Sequence, residues 1–65
     1  MEDYQQRVID ERGELGNKLA KLRLFLDSSA VKELKAMDVV LLEQQERMMA
    51  GYMWVLDRRV ERFEK

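Results

Sequence analysis

An all-α fold, an antiparallel hairpin of two long helices, is predicted by three observations in the 65-residue sequence. The chain contains no proline, so no ring interrupts a helix. Apolar residues recur at heptad spacing in two separate stretches. A short polar segment, Asp27-Ser28-Ser29, divides those stretches and offers cap residues for the segment after it.

The first helix is expected from Glu2 to Leu26, about 37 Å long at 1.5 Å per residue. Its apolar seam is Val8, Leu15, Leu19, Leu22 and Leu26. Val8, Leu15 and Leu22 share one heptad column, Leu19 and Leu26 the other, and Arg12 is a polar break in the second. The stretch from Ala30 to Met37 is expected to make a turn or two of helix, with Val31 and Leu34 turned inward. Asp38 is the expected N-cap of the last helix, which runs to about Glu64. Leu42, Met49, Leu56 and Phe63 recur every seven residues there, and Val39, Met53 and Val60 fill the alternate column, broken by Glu46. Residues 1–65 thus read as a single helical-hairpin domain with a short helical bridge.

A chain of this size buries only about 60% of the surface its unfolded form exposes. One core so small supplies at most about 3–5 kcal/mol, and small natural domains add disulfides, metals or partner subunits. With no Cys and no His, disulfides and the usual zinc chemistry are absent, and self-association is the remaining device. The hairpin is therefore expected to be a homo-oligomer, closing into a helical bundle. A second stripe on the first helix, Ile9, Gly13, Gly16, Ala20 and Leu24, is the expected oligomer interface. Glycine inside a helix costs about 1 kcal/mol against alanine, and small residues here would admit another helix closely. The last helix carries its own surplus, Leu41, Met48, Tyr52 and Val55, beside its seam.

Composition excludes several functions. The start of the chain is polar and of mixed charge, unlike a signal peptide. The longest aliphatic run, Val39-Val40-Leu41-Leu42, is far short of the roughly 20 residues a membrane helix needs. A soluble, cytoplasmic protein without membrane association is expected. Twelve basic against 13 acidic residues leave a net charge of −1, without the basic surplus that duplex nucleic acid requires. There is no His base, Cys nucleophile or phosphate-binding glycine loop, so neither an enzyme nor a cofactor protein is expected. The carboxylates Asp3, Glu43 and Glu61 sit at i,i+4 spacing from Arg7, Arg47 and Lys65, the ordinary pairing of solvated helices. No metal site is expected from them.

One constellation suggests binding. An antiparallel hairpin sets the start of the first helix beside the end of the last. That gathers Tyr4 and Arg7 near Arg58, Arg59 and Arg62, with Arg12, Tyr52 and Trp54 a turn or two inward. Guanidinium forks match phosphate oxygens and aromatic faces stack on bases. These eight residues are the candidate ligand site, suited to a phosphorylated, base-bearing molecule shared between subunits. Five of them also have a plainer reading: Tyr52 and Trp54 as core or interface anchors, and Arg58, Arg59 and Arg62 as a solvated face paired with Asp57 and Glu61.

The succession Tyr4-Gln5-Gln6-Arg7-Val8-Ile9-Asp10-Glu11, then Glu14-Leu15, Lys18-Leu19, Lys21-Leu22 and Phe25-Leu26, resembles a widespread family of very short phage proteins described as crAss-like-phage-related. Leu41-Leu42, Gln45, Met48, Tyr52, Leu56, Arg59-Val60 and Phe63 extend the resemblance over nearly the whole chain. In size and architecture the chain is also similar to the hairpin domain of anti-CBASS and anti-Thoeris sponges. That similarity implies an oligomer holding a cyclic oligonucleotide or a cyclic ADP-ribose variant in pockets between hairpins, without cleaving it. Two functions stay open. One is a sponge that sequesters a nucleotide immune signal in the host cytoplasm. The other is a helical interaction module that inhibits a host or phage protein through an apolar helix face. A purely structural homo-oligomer is a third.

Overall fold

The computed structural model describes residues 3–63 and consists of two helices joined by a tight turn. Helix α1 spans Asp3–Asp27. It opens on an acidic residue, the sign that the positive end of a helix dipole favours. It closes where the Ser28 amide and hydroxyl both donate to the carbonyl of Phe25, at 3.0 and 2.6 Å. Ser28 therefore caps the helix behind it, and makes no side-chain cap bond to the turn ahead.

The bridge is helical, as expected, but shorter than the stretch from Ala30 to Met37. A single 3-10 turn covers Ser29–Glu33, and Leu34 and Lys35 then adopt extended backbone. The tighter i to i+3 bonding reverses the chain in fewer residues. Val31 is half-buried as expected, but Leu34 is exposed.

Helix α2 spans Ala36–Arg62, and its N-cap is Lys35, with no side-chain cap bond. The expected cap, Asp38, lies inside the first turn instead. Chain reversal is complete by Lys35, so the helix starts before the favoured cap residue is reached. There the Asp38 carboxylate still opposes the positive end of the helix. The expected helix end at Glu64 lies outside the described residues.

The heptad seams meet as expected. Val8, Leu19 and Leu56 are buried, and Leu15, Leu22, Leu26, Val39, Leu42, Met49, Met53, Val60 and Phe63 are half-buried around them. The two polar breaks become ties between the helices. Arg12 pairs with Asp57, and Arg23 pairs with Glu46 at 3.0 Å. These pairs stand eleven residues apart on each helix, in opposite chain directions, so they share one antiparallel register. At the open end the rings of Tyr4 and Phe63 meet edge to face, with centroids 5.7 Å apart.

The result is a rod of 46 × 14 × 14 Å with a Cα radius of gyration of 14.8 Å. A compact 65-residue domain would have a radius of about 10.7 Å. A rod has little interior, and large apolar side chains remain outside: Leu24 is 71% exposed, Met48 69% and Trp54 61%. No helix among the described residues is long and apolar enough to cross a membrane.

Candidate functional site

Tyr4, in the second residue of α1, and Arg59, Arg62 and Phe63, at the end of α2, are brought together by the antiparallel register. With Gln5 they line a cleft of about 350 Å³ at the open end of the hairpin. The edge-to-face contact leaves the Tyr4 ring partly free, and the side chain is 55% exposed. Phe63 is half-buried and anchors it from the last seam position.

The electrostatics of the cleft depend on how neighbouring carboxylates are committed. Asp57 accepts from Arg12 across the hairpin, and Glu61 accepts from Arg58 at 2.7 Å. Arg58 also lies over the Trp54 ring, 5.4 Å from its centroid. Arg59 and Arg62 have no carboxylate partner among the described residues, and both are exposed. Two guanidinium groups with no carboxylate partner among the described residues, set beside two aromatic rings, have the chemistry to hold an anion and to stack a planar group attached to it.

The eight candidate residues do not form one site within a single chain. Tyr4, Arg59 and Arg62 line the cleft. Arg7 is exposed on α1 and is not among the cleft residues. Arg12 is tied to Asp57 and borders a different groove, with Ile9, Gly13, Gly16, Asn17 and Met53. Trp54 and Arg58 pair with each other. Tyr52 borders a third, smaller groove with Glu11, Glu14, Leu15 and Lys18. Two residues apart on a helix means about 200° of rotation, so Tyr52 and Trp54 occupy opposite flanks of α2.

Phe63 and Gln5 are the cleft residues that sequence reasoning did not single out. Phe63 carried a signal, since it ends the heptad column at the same end of the hairpin as Tyr4. Gln5 carried none.

The small-residue stripe of α1 lies on the flank away from Tyr52. Gly13, Ala20 and Leu24 are exposed, and Ile9 and Gly16 are half-buried. A Cβ placed on Gly13 would meet nothing within 4 Å, and one on Gly16 would lie 3.7 Å from Met53 Cε, an ordinary contact. Packing within the hairpin therefore requires neither glycine.

No curated protein and no solved structure matches the chain. A family model does, that of Sequestin, over residues 2–62, which takes in both helices, the turn and every residue of the open-end cleft except Phe63. The chain belongs to the Sequestin family.

Proposed function

We propose that this protein binds and sequesters a nucleotide immune signal, of cyclic oligonucleotide or cyclic ADP-ribose type, without cleaving it. The pocket lies between subunits of a homo-oligomer, and capture counters CBASS or Thoeris defence in the host cytoplasm. The carrying observation is the open-end cleft, where Arg59 and Arg62 face outward beside Tyr4 and Phe63 while Asp57 and Glu61 are occupied by Arg12 and Arg58. A family named for sequestration agrees with a protein that acts by capture.

Sequestration needs little machinery. A protein present in excess over its ligand lowers the free ligand by mass action alone, provided its Kd lies below the working concentration. A chain with no His and no Cys is suited to holding a phosphodiester rather than hydrolysing it. An intersubunit pocket agrees with the shape of the cleft, which one hairpin leaves open to solvent.

Arg59→Ala tests the reading. A hydrogen bond to a charged group contributes about 1.5–3 kcal/mol, so its loss should weaken binding roughly 10- to 150-fold. The free variant should keep its helicity and stay folded, because Arg59 is exposed and has no described ion-pair partner within the hairpin. Thermal shift against cyclic di- and trinucleotides and cyclic ADP-ribose isomers is the measurement. A variant that binds every compound as well as the wild type would remove the cleft from the function.

The exposed side of α2 favours the second reading, a small helical module that docks on a host or phage protein through an apolar helix face. A wild-type chain that binds no nucleotide but captures such a protein would replace the sponge with that module.

A further inference from the structure

We infer that the exposed apolar side of α2 is a two-fold interface, on which a second copy of this chain lies antiparallel with Met48 at the axis. Met37, Leu41, Met48, Tyr52 and Val55 are all exposed large side chains. At 100° per residue they fall within about 40° of the Met48 direction, on a strip separate from the seam that faces α1. Among the described residues the strip stays exposed, bordered by α1 only at Tyr52, and the hairpin itself buries only Val8, Leu19 and Leu56. A rod this thin gains most from covering its longest apolar strip.

The order of residues specifies which occupant fits. Leu41 and Val55 stand seven residues either side of Met48, Gln44 and Tyr52 stand four either side, and Met37 and Arg59 stand eleven either side. An antiparallel copy centred on Met48 therefore sets Met48 on Met48 and Leu41 beside Val55, with Gln44 and the second copy's Tyr52 at one level on the two edges of the strip. Along this central stretch apolar residues meet apolar ones, and the polar groups of Gln44 and Tyr52 stay at the edges, open to water. This is the self-complementarity that a two-fold interface demands.

Charge selects the same direction. Arg59 and Arg62 are the charged residues of the strip, and a parallel copy would stack Arg62 on Arg62 and, nearer the axis, bring two Arg59 together. The antiparallel copy separates the two Arg59 by about 33 Å, and brings each to the acidic first turn of the other α2, where Asp38 lies. It also lays the second copy's Met37 along the edge of the open-end cleft, at Arg59. The interface itself stands on the apolar strip and needs no ligand; only its closing of the cleft rests on the proposed function.

Because the chain has no cysteine, single introduced cysteines report geometry without background. Ligand-free wild type should sediment as a dimer or a multiple of one. Met48→Cys should form a disulfide-linked dimer when oxidised under native conditions, and little of it when oxidised in urea. Leu41→Cys mixed with Val55→Cys should give mainly the mixed disulfide, with little of either homodimer. Met48→Glu should drop to the mass of the 7.8 kDa chain while retaining its helical circular dichroism, since Met48 lies outside the hairpin seam. The inference is overturned by a wild type that sediments as a monomer, or by Leu41→Cys preferring its own homodimer. It is equally overturned if Leu24→Cys, on the α1 stripe, cross-links while Met48→Cys does not. Failure of any nucleotide to bind leaves these outcomes unchanged, so the interface and the sponge fail separately.

Discussion

Leu56→Ala is the perturbation that bears hardest on the hairpin. Leu56 has no exposed surface at all, against 5% for Val8 and Leu19. It therefore sits at the point where the two seams close most completely. Replacing a buried Leu by Ala loses the transfer energy of its side chain and leaves a cavity, together about 2–5 kcal/mol. A single core of this size supplies about 3–5 kcal/mol in total, so the variant should be close to or past its folding midpoint at room temperature. In a domain this small each kcal/mol moves the melting temperature by about 4–8 °C, which makes the smallest expected drop about 8 °C. Circular dichroism melts at several protein concentrations measure it, because association adds stability by mass action and must be separated from the hairpin's own. Leu24→Ala, at a residue 71% exposed, is the control and should change stability by less than about 0.5 kcal/mol in the monomer. A cost below about 1 kcal/mol for Leu56→Ala would mean that the seams do not meet in this register.

Other outcomes rest on the same geometry. Gly13→Ala should raise stability by about 0.5–1 kcal/mol, since its new methyl meets open space and the helix gains a better former; a lower melting temperature would put Gly13 in a tight contact. A double-mutant cycle on Arg12 and Asp57 should return a coupling of about 0.2–1 kcal/mol that shrinks in high salt. Both partners are about a third or more exposed, and a coupling of several kcal/mol would contradict that exposure.

The seams were legible because heptad spacing reports directly which residues share a face, and the antiparallel hairpin comes from two such seams and one short bridge. The meaning of the seam breaks was less so. Arg12 and Glu46 could be seen interrupting apolar columns, but their partners Asp57 and Arg23 emerge only from the register between helices, which periodicity along one helix does not carry. The cap was misplaced for a related reason. Asp is a better N-cap than Lys, yet the turn delivers the chain to helical geometry at Ala36, and local preference yielded to chain reversal. At the site, Tyr4, Arg59 and Arg62 were readable from which ends of the helices adjoin. Tyr52 and Trp54 were gathered with them by sequence proximity, although two residues of helix place them on opposite flanks. The 3.6-residue period already contained that distinction.

The central claim is capture of an intact nucleotide, and one measurement addresses it directly. The purified wild-type chain is incubated with cyclic di- and trinucleotides and cyclic ADP-ribose isomers, its thermal shift is recorded, and the ligand is then released by denaturation and weighed by mass spectrometry. Binding at 100 times Kd should add about 2.7 kcal/mol to stability, a shift of roughly 10–20 °C for a domain of this size, and the ligand should return at its original mass. No shift with any compound, or a ligand returned as its hydrolysis product, would contradict the account.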